Sequence, residues 1–484
     1  MKFLIFGTGR FYEKRKEVLA RWIGQNDLLG FLDNYRKGTL DGKRIYAPEI
    51  GIRLPYDDIL LMSADAAEMR RQLLQLGVAD EKILLWNELR ARKCSGQMQV
   101  FSGTMRCHGK RVLILTVGLF YNGGALAAVH AVDALQERGW DVSIAAPEYD
   151  ENFLQEVISK GISVIHCPSL PFVFDAERKW IMTYDIVLVN VFPMLVASVK
   201  IQQFLPVLWW IHESDEVYRY TRDAYPRFAD QKSFDGVHIL AVSRIAKREF
   251  EKIYPHRING ILPYGIPEMY PARKKQSDKK IGIAILGSIF PLKAQDIFLC
   301  AVKQLSEQLR KQCRFFIIGK MVGSEEYQET IRTMSEQFPE VVLTGELMRK
   351  ELRDIYSEID VIVSASRIDS LPITMAEGLQ NRKICITSDA TGYAYDIIQN
   401  GENGFICKAG DAASLAEKMA YVIEHFNELG PIREKARKTY EKYFSMEIFG
   451  ERLDRELLLT EKEYWSGKER GERYVQGVSS RAGL

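Results

Sequence analysis

The chain of 484 residues, 46% hydrophobic and 27% charged, has the composition of an ordinary globular protein and is longer than one hydrophobic core usually supports, so several domains are expected and a disordered or collagen-like chain is excluded. Its formal net charge of +2 argues against a nucleic-acid partner, and its seven cysteines are scattered without the paired spacing of a zinc site, the usage of a reducing cytoplasm. The start MKFLIFGTG lacks the apolar core of a signal peptide, and the longest apolar run, 186–199, is broken by Asn190 and Pro193 and falls short of the ~20 residues of a bilayer span, so any membrane contact is expected to be peripheral.

Short apolar strands alternate with amphipathic segments, the pattern of parallel sheets covered by helices on both faces. It restarts three times, each time as a strand that runs into glycine, at 2–9, 111–118 and 280–287. The first unit, 1–92, has strands predicted at 3–6, 28–32 and 59–62 and reads as a small Rossmann-like domain. Gly7 and Gly9 follow its first strand, and Asp33 follows the second at the spacing of a ribose-binding acid. The fingerprint's third glycine is missing, so a nucleotide site and a structural or docking role both remain open. Residues 90–109 read as a linker.

The second unit, 110–272, has strands predicted at 112–116, 141–145, 186–191, 207–211 and 238–242, with a helix over 125–139. The lysine-rich stretch 273–280 bridges to the third unit, 273–444, which has strands at 282–286, 314–318, 341–344, 361–364 and 383–387 and a helix over 296–309. An amphipathic helix over 445–465 is expected to pack back across these two units, and 466–484 to form a disordered tail. Ligands of open α/β sheets bind beyond the carboxyl ends of strands, which places the chemistry between units two and three.

The segment from Asp369 to Gly378 follows a buried strand. Pro372 suits a first helical turn, which puts Asp369 in the loop and Glu377 along the helix, and the free N–H groups near Leu371 offer a phosphate site. An N-cap aspartate and a surface glutamate are the bland alternative. The segment resembles the E-x7-E element of the family-four retaining glycosyltransferases, with aspartate in place of the first glutamate, and the resemblance extends over about 110–444. It implies an α/β GT-B architecture of two facing Rossmann-like domains preceded by the small N-terminal one.

Further stretches fall in that family's order. Lys293 occupies the position whose lysine contacts the donor diphosphate, Ser288 stands where an arginine is common, and Gly118, Gly123 and Gly124 match a glycine-rich loop. His212 ends a strand on the polar pair His212-Glu213, which reads as exposed, and matches a histidine on the acceptor side. The resemblance implies a cytoplasmic hexosyltransferase of cell-envelope polysaccharide or glycolipid synthesis, at the inner face of the membrane. It implies a nucleoside diphosphate sugar as donor, a saccharide or lipid-linked acceptor, and no required cofactor or metal. Glu377 would hold ribose hydroxyls, Asp369 the transferred sugar, and Lys293, Ser288 and the helix near Leu371 the diphosphate. An epimerase or phosphorylase on the same architecture, or a non-catalytic nucleotide-sugar-binding protein, are the alternatives.

Overall fold

The computed structural model describes residues 1–63, 66–103, 109–213, 215–234, 236–254, 258–268, 280–347 and 349–481. Three sheets organise the chain. The first contains β1 (Phe3–Phe6), β2 (Leu28–Leu32), β3 (Gly38–Leu40), β4 (Lys43–Tyr46), β5 (Asp58–Leu61) and β6 (Ile83–Leu85) in the order β3-β4-β2-β1-β5-β6. The second contains β7 (Gln99–Phe101), β8 (Arg111–Leu115), β9 (Asp141–Ala146), β10 (Ser163–His166), β11 (Ile186–Asn190), β12 (Val207–Ile211), β13 (His238–Ala241) and β14 (Gly260–Ile261), ordered β14-β13-β12-β11-β8-β9-β10-β7. The third contains β15 (Ile281–Leu286), β16 (Cys313–Ile318), β17 (Val341–Gly345), β18 (Val361–Ser364), β19 (Ile384–Ser388) and β20 (Phe405–Cys407), ordered β17-β16-β15-β18-β19-β20.

Pairing is parallel except for the β3/β4 hairpin and the edge strand β7, which runs antiparallel to β10. The central strands β11 and β12 are buried along their length and apolar but for Asn190 at the end of β11, because helices cover both faces. Each restart at glycine marks the strand from which its sheet grows in both directions: β1, β8 and β15 lie inside their sheets, beside a reversal of strand order.

Three sequence expectations change. The stretch 90–109 is not a plain linker: the helix Trp86–Cys94 enters it, and β7 within it uses the backbone edge of the second sheet while its own side chains stay largely exposed. The helix expected over 296–309 is two, Gln295–Gln304 and Glu307–Lys311, because Leu305 is extended and Ser306 caps the second by accepting from the Leu309 N–H. The expected tail is helical through its described part, since a single helix runs Met446–Arg481; the segment has no proline and is rich in Glu, Lys and Arg, good helix formers. The lysine-rich bridge lies, up to residue 279, outside the described residues. Among those described, no helix is long and apolar enough to cross a membrane.

The units are locked together. Buried residues of the second and third, Leu262 and Tyr264 with Leu371, Met375 and Tyr393, share one core. The C-terminal helix packs back over the second unit, where Phe449 stacks on Trp210 at 5.5 Å and Asp454 accepts the Trp140 indole N–H at 2.7 Å. Ala224, on the helix Asp215–Ala224, is buried within a core cluster of the first unit, and Arg227 pairs with Glu88 at 3.1 Å. The segment 216–228, whose mixed arginines and tyrosines suggest by sequence an acceptor-binding or membrane-surface role or a surface helix, docks the first unit onto the second.

Candidate active site

Beyond β18 the chain turns through Asp369 into the helix Ile373–Gln380, whose N-cap is Pro372 and whose first turn receives no side-chain cap. Its unpaired N–H groups and dipole leave a partial positive charge facing the space in front. Facing it is the start of the helix Gly123–Gln136, capped by Asn122. A Cβ on Gly123 would stand 3.6 Å from Ile373 Cδ1, so two helix N-termini from different units meet at one place.

The Lys293 amine bonds Asp369 directly. Lys293 lies in the turn Pro291–Lys293, held by Arg367, whose backbone N–H bonds Leu292 O at 2.8 Å and whose guanidinium grips the Asp296 carboxylate with bonds of 3.0 and 2.6 Å. Ser288 is exposed beside Gly287, which has φ of +132°, and the loop packs so closely on Gly319 that a Cβ there would meet Gly287 O at 2.0 Å. Leu371 is buried, and its carbonyl accepts the Tyr264 hydroxyl at 2.6 Å. Glu377 is half-buried on the same helix.

From the second unit, the Glu213 carbonyl accepts the Ser370 hydroxyl at 2.9 Å, which ties the Asp369 loop to the residue after His212. The pair expected to be exposed is half-buried. His212 packs on the Trp210 ring at 4.3 Å, and its Nε2 is buried with no partner among the described residues. Burial pushes its pKa down to about 3, so the imidazole is neutral. Burial pushes Glu213 up to about 7, against bonds to its carboxylate from the N–H groups of Phe192 and His212. Two adjacent polar residues read as a surface signal; Trp210, the Phe192 backbone and the Ser370 loop of the third unit reverse it. Gly118 abuts Phe120, while Gly124 bonds through its carbonyl to the Asn190 amide at 2.9 Å.

The third unit's sequence matches the model described as Glycosyl transferases group 1, over residues 268–439. That stretch is similar to a glycosyltransferase group 1 domain, and the fold is of the GT-B type. Residues 1–84 match the model described as C2185-like, N-terminal. The capsular polysaccharide biosynthesis glycosyltransferase CapM of Staphylococcus aureus is 28% identical over 141 residues, a match covering 29% of this chain and only 36% of that relative. Among solved structures, Anabaena HepE in complex with UDP and glucose superposes with a TM-score of 0.59 at 15% identity, over 72% of this chain and 99% of HepE. Sucrose-phosphate synthase from Thermosynechococcus elongatus gives 0.59 at 14% identity, over 72% and 98% of the two chains. These likenesses establish the fold.

Sequence reasoning misses two groups that position Lys293 and the loop that joins the second and third units. Arg367 has no local signal, since its partner Asp296 is 71 residues away. Ser370 is named only as part of a motif, yet it bridges the units. In the first unit, Gly7 (φ +107°), Gly9 and Asp33 line a cavity of about 260 Å³. Asp33 is engaged by its own domain: it accepts the Thr8 hydroxyl at 2.5 Å and the N–H groups of Tyr35 and Arg36, each at 2.9 Å. Burial tends to raise its pKa, but these bonds hold it below the usual carboxylate value.

Glu213 makes stability depend on pH. Its folded pKa of about 7 lies above the ordinary value of 4.5, so its contribution is fully present below the unfolded value and is lost as pH rises through 7. The denaturation midpoint of the whole chain is expected to fall between about pH 4.5 and 7, and Glu213→Gln to flatten that fall. An unchanged slope in the variant would show that another group is responsible.

Proposed function

We propose that this protein transfers a glycosyl group from a nucleoside diphosphate sugar to a hydroxyl of a saccharide or lipid-linked acceptor with retention at the anomeric carbon, as the family-four glycosyltransferases do. The observation that carries the reading is the meeting of two helix N-termini beside the Lys293 amine, a cationic cradle at the mouth between two sheets. The departing diphosphate gains negative charge as the glycosyl bond breaks, and fixed N–H dipoles and an ammonium group stabilise that charge without reorganising.

In this reading Lys293 leaves Asp369 to meet the diphosphate, aided by the backbone around Ser288 and the first turn after Leu371. Asp369 is then free to accept hydroxyls of the transferred sugar, and Glu377 accepts the two hydroxyls of the ribose. His212, neutral and weakly basic, orients an acceptor-side hydroxyl by a hydrogen bond in place of taking its proton; a buried nitrogen without a partner costs about 1–3 kcal/mol, which such a bond recovers. No step calls for a metal. HepE crystals with UDP and glucose, and the name of CapM, support a UDP-sugar donor and a capsule-like polysaccharide product; in this reading the reaction takes place in the cytoplasm at the inner membrane face.

Calorimetric titration of the full chain with UDP and a panel of nucleotide sugars is expected to give micromolar binding that falls about tenfold or more in Glu377→Ala, through loss of charge-assisted bonds to the ribose. Absence of any nucleotide binding would overturn the donor site. Product analysis separates transfer from epimerisation, because an epimerase converts the donor with no acceptor present.

A further inference from the structure

A cavity of about 680 Å³ lies between the first and second units, away from the Lys293 cradle. Its walls are the carboxyl ends of strands from both sheets: Trp86 and Asn87 follow β6, while Val117, Pro147 and Pro193 follow β8, β9 and β11. Strand ends of this kind are where open α/β sheets bind ligands, and here two sets confront each other. The second unit's wall is also the back of the reacting centre. Val117 immediately precedes the glycine loop, and Pro193 follows Phe192, whose N–H bonds Glu213.

The lining selects a ligand class. Trp86 is stacked on Trp22 at 5.1 Å, and the Arg15 guanidinium lies over Phe11 at 3.7 Å, so the first unit presents a rigid aromatic and planar shelf. Arg90 and Glu148 neutralise each other across the gap at 2.6 Å, and the remaining polar lining is Arg15 and Glu216, one charge of each sign, with amide and hydroxyl groups such as Asn87 and Ser63. Aromatic faces with a few hydrogen-bonding groups suit a sugar ring, which is apolar on its faces and polar around its edge. We infer that the first unit supplies half of a saccharide-binding groove that holds the acceptor's sugar residues beyond the one that reacts. That assignment rests on the transfer reading for its purpose, but its binding chemistry stands separately.

Saturation-transfer NMR on the full chain in the presence of UDP, with chitotetraose, maltotetraose and a hyaluronan tetrasaccharide as probes, tests it. At least one probe is expected to receive saturation on its ring protons, with affinity falling about fivefold in Trp86→Ala, the worth of one stacking contact. Asn87 is exposed, so Asn87→Trp fills the groove without disturbing a core and is expected to give a similar loss. UDP affinity should be unchanged in both variants. No saturation of any probe on a chain that binds UDP, or wild-type saccharide affinity in both variants, overturns the groove. Saccharide binding by a chain that does not bind UDP overturns the donor reading and leaves the groove standing.

Discussion

Lys293→Ala is expected to lower the rate of glycosyl transfer about 10²- to 10³-fold at saturating donor, the usual effect of removing one preorganised group from a developing negative charge. An ammonium about 4 Å from a phosphate oxygen contributes roughly 4 kcal/mol at an effective dielectric of 20, so the loss fits a single contact. The structure adds a second reason. Asp369 is only 14% exposed and has the Lys293 amine as its ion-pair partner among the described residues. Without that amine its carboxylate faces the diphosphate uncompensated, and the repulsion falls on the same charge. The double variant Lys293→Ala/Asp369→Asn should therefore bind UDP more tightly than Lys293→Ala, although it transfers no faster. Because Lys293 is 29% exposed and lies in a turn braced independently by Arg367, the melting temperature should shift by only a few degrees. Initial rates and UDP titrations of the three proteins check this, and wild-type rates in Lys293→Ala would remove the amine from the reaction.

What sequence reveals here depends on how local the cause is. The strand Val361–Ser364 is buried along its length and reads directly as a strand, because no position faces water. The edges β3, β7 and β20 are three residues each, and the first two are largely exposed, so neither length nor alternation marks them. Lys293 and Asp369 are each marked by neighbours in their own segments, whereas their contact joins positions 76 apart and depends on β15 and β18 lying side by side. The burial of His212 and Glu213 is less legible still. It comes from Trp210, the turn at Phe192 and a loop of another unit together, and two successive polar residues after a strand look like a surface in any single sequence.

Gly392→Ala is expected to cost about 1–3 kcal/mol of stability, as overpacking does, and to lower transfer by about 10²-fold through displacement of the donor loop. A Cβ at Gly392 would stand 1.9 Å from the Ser370 carbonyl and 2.7 Å from Ser243 Cβ, one a neighbour in the third unit and the other in the second. Neither can yield cheaply. Ser243 caps the helix Arg244–Glu251 by accepting from the Ala246 N–H, and Ser370 is bonded to the Glu213 carbonyl. Gly392 itself donates its N–H to Asp369 O at 3.1 Å, so a shift of its backbone carries the carboxylate that pairs with Lys293. The substitution thus wedges the two units apart at the point where their functional loops touch, with no change to any group that meets substrate. UDP affinity, which draws mainly on the third unit, should fall less than the transfer rate, which needs both. A variant with wild-type stability and transfer would show that the loop accommodates the methyl group and that the register of the two units is not set there.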